Sequence, residues 1–256
     1  LVYQGSGHDH TRLRMSQPET LPIRVGNADG SGIMFDRIAK RYDLLNRLIS
    51  FGLDHRWRQK LLRNLGPIGS GDSVLDVATG TGDVAIAIAK AFEGARVTGL
   101  DPSIGMLNIG REKIAARNLE PRVELIAGDA QEMPFQNDTF AAACISFGIR
   151  NVPDRVKGLK EMARVTKPGG KVVVLELSEP RGGLLTPFAK LHIHWVIPIL
   201  GTLLSSSKEY WYLQKSIAAF PPAKEFAGVM ESAGLENVEL HQLTLGTAHL
   251  YVGTVS

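Results

Sequence analysis

The densest chemical signal is the run Val74-Leu75-Asp76-Val77-Ala78-Thr79-Gly80-Thr81-Gly82-Asp83. An apolar stretch of strand type ends in a glycine turn, and a helical pattern follows. Glycines let the backbone bend sharply and come close to a ligand. Crevices beyond the carboxyl ends of parallel strands are where open α/β sheets bind cofactors. Gly80–Ala85 satisfies the loose dinucleotide fingerprint, so an NAD enzyme is an open reading of the turn alone. Asp101 ends the next apolar run, about 20 residues on, where an acid holds ribose hydroxyls in either kind of cofactor. Two further acids separate the readings. Asp76 lies inside the first strand, and Asp129 follows the third in Ala127-Gly128-Asp129-Ala130, placed to face an adenine amino group. A pyrophosphate wants backbone amides and little negative charge, whereas a cationic sulfonium cofactor tolerates carboxylates. For Asp83 the simpler role is that of an acid in the first turn of a helix.

Other reactive residue types carry less. Cys144 is the single cysteine, so no disulfide forms within the chain. It sits in the apolar run Phe140–Phe147 and reads as a buried strand residue, since a reactive thiol wants an electropositive, partly exposed setting. His192 and His194 have a spacing that suits a metal, but no neighbouring acid or cysteine completes a site, and no metal is expected. His8 and His10 read as solvated.

The elements that must position these groups follow from periodicity. Met34, Ile38, Tyr42, Leu45 and Ile49 form one helical stripe, and a second helix is expected at Asp54–Leu65. Then strands alternate with helices: Ser73–Ala78, helix Asp83–Phe92, Arg96–Leu100, helix Ser103–Arg117, Arg122–Ala127, Phe140–Phe147, helix Pro153–Val165 and Lys171–Leu177. That alternation, with continuously apolar strands, predicts a parallel sheet covered on both faces. Pro168-Gly169-Gly170 reads as a turn. A last helix, Pro221–Ala233, leads to Val238–Leu245 and His249–Val255, which are expected to pair antiparallel at the sheet edge. The expected organisation is a disordered arm over 1–31 and one domain over 32–256, with a helical preface at 32–65 and an apolar cap at 184–217.

Composition sets bounds. The 256 residues are 44% apolar and 21% charged, as in an ordinary globular protein. A net charge of +3, from 29 basic and 26 acidic residues, is too balanced to argue for nucleic acid. The first 31 residues lack a signal peptide's apolar region, and Asp9, Glu19 and Asp29 argue against a transit peptide. No run of about 18 apolar residues reads as a membrane span. Leu184–Leu204 carries one charge, Lys190, and is broken by Pro187 and Pro198. It reads as a greasy wall for a lipid tail or as a shallow membrane contact. The expected location is the cytoplasm, with any membrane contact peripheral.

On these residues the chain resembles the ubiquinone/menaquinone biosynthesis C-methyltransferases, within the class I methyltransferase fold. The resemblance runs from about Met34 to Gly253. It covers Met34–Asn46, Leu75–Asp83, Phe147-Gly148-Ile149-Arg150-Asn151, Arg164-Val165-Thr166-Lys167-Pro168-Gly169-Gly170 and Tyr210–Ile217. It implies a Rossmann-like, mostly parallel seven-stranded sheet with an antiparallel edge hairpin. S-adenosylmethionine is the implied cofactor, touched by Thr81, Asp101, Asp129, Ala130 and Ser146, and joined by Asp76, Gly80 and Gly82 of the turn. The implied substrate is a reduced quinone with a lipid tail, methylated on a ring carbon. One departure is Leu191-His192-Ile193-His194-Trp195-Val196-Ile197-Pro198, where the family has a tyrosine-rich stretch.

A quinol ring carbon becomes nucleophilic when its hydroxyl loses a proton, and a phenol of pKa ~10 needs help at neutral pH. Arg150 is expected to stabilise the developing phenolate and Asn151 to orient a ring oxygen or a water. The plainer roles are a backbone-anchoring arginine and a helix N-terminal asparagine. Tyr42, Asn46, His192, His194 and Tyr212 are expected to line the substrate site, with Tyr210 nearby. Asp43, His55, His192 and His194 are the candidate bases. Alternatives are a methyltransferase for another small aromatic acceptor, an NAD-dependent oxidoreductase, and a non-catalytic quinone-binding or chaperone protein.

Overall fold

The computed structural model describes Ala39, Arg47, Ser50 and residues 52–179 and 207–256. One sheet contains β1 (Ser73–Val77), β2 (Arg96–Asp101), β3 (Val123–Ala127), β4 (Phe140–Ser146), β5 (Thr166–Leu177), β6 (Leu235–Leu243) and β7 (Ala248–Val255), in the order β3-β2-β1-β4-β5-β7-β6. β1 to β5 pair in parallel, and β7 runs antiparallel to both β5 and β6. The helices described in full are α1 (Asp54–Arg63), α2 (Asp83–Ala91), α3 (Ile104–Ala115), α4 (Arg155–Val165), α5 (Ser207–Ala218) and α6 (Ala223–Ser232).

Strand alternation divides the core in two. Val74, Ala142, Cys144, Val173 and Leu175 face the side where Trp57 and Leu61 of α1, Ile88 of α2 and Leu107 of α3 pack. Leu75, Val77, Ala143, Ile145, Val172 and Val174 face the side of Leu159 and Met162 of α4 and Phe226 and Met230 of α6. Both faces are covered, which is why these strands read as unbroken apolar runs. β1 leads through α2 to β2 on one side, and β4 leads through α4 to β5 on the other. The chain therefore diverges between β1 and β4, and a crevice opens at their carboxyl ends.

Several boundaries differ from the sequence expectation. β5 starts at Thr166 instead of Lys171: Phe140 pairs with Thr166 and Ala142 with Lys171, and Lys167-Pro168-Gly169-Gly170 loops out between those pairings. β6 starts at Leu235, three residues before the expected Val238, because an irregularity between Glu236 and Glu239 interrupts its alternation. Its far end gives way to a tight turn, Thr244–Gly246. α4 is capped by Asp154, whose carboxylate accepts from Lys157 N at 2.9 Å. Asn151, the expected helix N-terminal residue, lies one turn earlier in the 3-10 turn Ile149–Asn151. The 1–31 arm and Leu184–Leu204 lie outside the described residues. No helix among the described residues is long and apolar enough to cross a membrane.

Candidate active site

The glycine turn sits between β1 and α2. Gly82 caps α2 in the left-handed region, at φ +76, where side-chain-bearing residues are strained. It also lies against α3: a Cβ on Gly82 would stand 3.7 Å from Gly110 Cα. Two non-glycine residues at the crevice share that left-handed conformation, Ala78 after β1 (φ 51) and Phe147 after β4 (φ 58). Strain at such positions costs on the order of 1–3 kcal/mol each and persists only where surrounding structure enforces it. The two strand ends nearly touch, since a Cβ on Gly148 would come within 2.5 Å of Ala78 Cβ.

Three acids stand at this turn, Asp76, Asp83 and Asp101, and a fourth, Asp129, follows β3. Asp101, at the end of β2, accepts from Gly80 N at 2.9 Å and from Ser103 N at 2.8 Å, so the second strand is tied to the turn. Asp76 is buried; it accepts from Thr79 Oγ1 at 2.6 Å and lies 3.6 Å from Cys144 Sγ. Burial pushes its carboxyl up to about 7, against the lowering pull of the Thr79 hydroxyl, the Cys144 thiol and the Arg58 charge. Burial, then the Asp76 carboxyl, pushes the Cys144 thiol well above its ordinary value, as befits an inert core cysteine. Asp83 bonds Arg58 Nη1 at 2.9 Å and Lys113 Nζ at 2.7 Å. Burial opposes its charge, but the Lys113 and Arg58 partners outweigh that and hold it below the usual range. Asp129 accepts from Gln131 N at 2.8 Å, and Ala130 beside it is half-buried.

The loop carrying Asp129 is clamped from α4. Arg164 pairs with both oxygens of Glu161 at 2.7 Å and donates to Phe135 O and Met133 O. Glu161 also accepts from Met133 N. This accounts for Arg164 in the motif before β5: it fixes the loop after β3 from α4.

At the end of β4, Ser146 Oγ is buried without a hydrogen-bond partner among the described residues and lines the recess with Asp76, Thr79, Gly80 and Thr81. Beyond it, Arg150 is buried, and its Nη1 bonds Glu176 Oε1 and Phe147 O, each at 2.6 Å. Glu176 supplies its counter-charge, and the Phe147 carbonyl anchors it to the backbone. One donor, the buried Nε–H, lacks a partner among the described residues. Tyr212 of α5 donates to Asn151 Oδ1 at 3.2 Å, which brings two expected site residues together from opposite ends of the fold.

The structure thus gathers Asp76, Gly80, Thr81 and Ser146 around one recess, with Gly82 at the head of α2 and Asp101 bonded to Gly80. Arg150, Asn151 and Tyr212 stand together beside it. His55, a candidate base, is exposed on α1 with its Nε2 3.2 Å from Gln59 Nε2, and it does not line the recess. Tyr42, Asp43, Asn46, His192 and His194 lie outside the described residues, as does the Tyr210 side chain. Sequence reasoning missed Arg58 and Glu176. Glu176 carried a usable signal, an acid inside the otherwise apolar run Val172–Leu177.

S-adenosylmethionine fits these residues. The open Ser146 hydroxyl and the acids Asp76 and Asp101 suit a cationic adenosyl ligand better than a pyrophosphate. With β7 inserted antiparallel between β5 and β6, the fold and this recess define the class: an S-adenosylmethionine-dependent methyltransferase. The fold recurs in phosphoethanolamine N-methyltransferase 2 of Haemonchus contortus, solved with S-adenosyl-L-methionine, at a TM-score of 0.60 and 17% identity. That likeness is one of fold; it covers 78% of this chain and 52% of that one, so the chain spans about half its length. The chain belongs to the ubiE/COQ5 methyltransferase family, whose model matches residues 25–255. It is 46% identical to the ubiquinone/menaquinone biosynthesis C-methyltransferase UbiE of Syntrophotalea carbinolica, over 86% of this chain and 92% of that one. It is 42% identical to the demethylmenaquinone methyltransferase of Bacillus cereus, over 86% and 93%. Family membership sets the NAD-dependent reading aside.

Proposed function

We propose that the protein transfers a methyl group from S-adenosylmethionine to a ring carbon of a reduced, prenylated quinone in menaquinone or ubiquinone biosynthesis. The observation that supports this best is identity of 42–46% along more than nine-tenths of relatives named for that chemistry. When bound, the cofactor supplies the activated methyl group. Thr81, Gly80, Gly82, Asp101, Asp129, Ala130 and Ser146 hold it, with Asp76 beneath the turn. Arg150 is the proposed catalytic group: Glu176 fixes its side chain, and the unpartnered Nε–H is left to take the acceptor oxygen as it becomes negative. Asn151, held by Tyr212, orients that oxygen. Tyr42, Asn46, His192 and His194 complete the substrate side. Leu184–Leu204 forms the wall for the lipid tail and a peripheral contact with the membrane that holds the substrate.

The test is single-turnover methylation of a panel of reduced quinones with labelled cofactor, beside cofactor titration. Arg150→Gln should slow turnover roughly 100-fold, as for loss of one oxyanion-type donor, with cofactor affinity held within about twofold. Normal turnover, or parallel loss of rate and cofactor affinity, would move the catalytic role elsewhere. Methylation of simple catechols but of no quinol in the panel would reassign the acceptor.

A further inference from the structure

The recess at the ends of β1 and β4 is lined by two acids, Asp76 and Asp83, and among the described residues by one basic side chain, Arg58. Arg58 comes from α1, outside the glycine motif. Its Nη1 donates to Asp83 Oδ2 at 2.9 Å, its Nη2 lies 3.8 Å from Asp54 Oδ2, and its Nε–H is buried without an acceptor among the described residues. Neither acid depends on Arg58 alone. Lys113 Nζ holds the other oxygen of Asp83 at 2.7 Å, and Ser50 Oγ donates to Asp54 at 2.8 Å.

Arg58 is thus shared between Asp83 and Asp54, each of which has a second partner, and its guanidinium stands at the recess wall. A ligand carboxylate entering a space bounded by Asp76 and Asp83 would otherwise meet only like charge. A guanidinium presents the planar pair of donors that matches a carboxylate, and the Asp83 contact fixes it before the ligand arrives.

We propose that Arg58 holds the α-carboxylate of the cofactor's methionine moiety and leaves the Asp76 end of the recess to its ammonium group. The recess then selects an α-amino acid zwitterion, which makes α1 part of the cofactor site. The inference rests on the S-adenosylmethionine assignment.

The full chain is titrated calorimetrically with S-adenosylmethionine and with its decarboxylated analogue, for wild type, Arg58→Gln and Arg58→Lys, each checked for folding by thermal melting. Wild type should prefer the carboxylated ligand roughly 10- to 100-fold, the range of a charge-assisted contact. Arg58→Gln should reduce that preference to within about threefold, while its affinity for the analogue stays within about threefold of wild type. A wild type that does not discriminate, or a preference that survives in Arg58→Gln, overturns the proposal. Equal weakening toward both ligands also overturns it, because it marks Arg58 as a strut between α1 and α2. Should Arg58→Gln not fold, Arg58→Lys decides: a clearly reduced preference supports the proposal and an unchanged one overturns it. Failure of wild type to bind either ligand would overturn the cofactor assignment, and the role of Arg58 with it.

Discussion

Neutralising Glu176 should destabilise the protein more than an ordinary substitution, and the pair it makes with Arg150 gives the size. The two side chains are 0% and 5% exposed, and their contact is 2.6 Å. Glu176 also accepts from Leu177 N at 2.8 Å and from Arg150 N at 3.2 Å. Glu176→Gln keeps one acceptor oxygen, turns an NH2 group toward the other amide, and leaves a buried guanidinium without its counter-charge. Breaking such a pair from one side costs about 3–5 kcal/mol. With an unfolding entropy of roughly 2.1 cal/mol/K per residue over 256 residues, the melting temperature should fall by about 6–9 °C. Arg150→Met removes the cation, so the double variant Arg150→Met/Glu176→Gln should lose about 2 kcal/mol less than the two single losses combined. Denaturant unfolding of the four proteins measures this cycle. A single-variant loss under about 0.5 kcal/mol, or strict additivity, would show that the pair does not hold the end of β5 to the turn after β4.

Asp76 and Gly148 give two further tests. The folded Asp76 carboxyl titrates at about 7 against an ordinary 3.8, so the folded chain retains a proton that the unfolded chain releases across that window. Stability contributed by Asp76 should therefore fall as pH rises from about 4 to 7, and the trend should vanish in Asp76→Asn. A cationic cofactor favours the ionised form, so its binding near about pH 6.5 should release a proton and tighten as pH rises. Calorimetry in buffers of different ionisation heat reads that release directly, and a zero slope for wild type would contradict the burial of this carboxylate. Gly148→Ala places a methyl about 2.5 Å from Ala78 Cβ, with no flexible side chain to yield. It should cost about 1–3 kcal/mol and weaken cofactor binding by splaying β1 from β4; unchanged melting and affinity would count against that close approach.

Much of this molecule is legible in the chain because the signals are local. The alternation of apolar runs and helical stripes yields the sheet and its covering helices, since each element's burial pattern is written within it. The glycine turn is legible for the same reason: Gly82 adopts φ +76, a backbone conformation that strains a residue carrying a side chain. The misplaced boundaries are those set by pairing. Pro168-Gly169-Gly170 announces the turn within Lys167–Gly170, but the pairing of Thr166 with Phe140, which starts β5 ahead of that turn, has no local signal.

Charge followed the same division. The sequence by itself determined which residues end the strands at the crevice, and so which could meet a cofactor: Asp101, Asp129 and Ser146 sit where strand periodicity runs out. Only the tertiary structure decided what surrounds them. It brought Arg58 to Asp83 across 25 positions and Arg150 to Glu176 across 26, and it set Trp57 Nε1 on Thr244 across 187. It also buried Asp76, and that burial moves the carboxyl to about 7. A side chain's charge state and partners depend on the dielectric and the groups within a few ångströms, and those neighbours come from separate elements whose meeting is settled by sheet order.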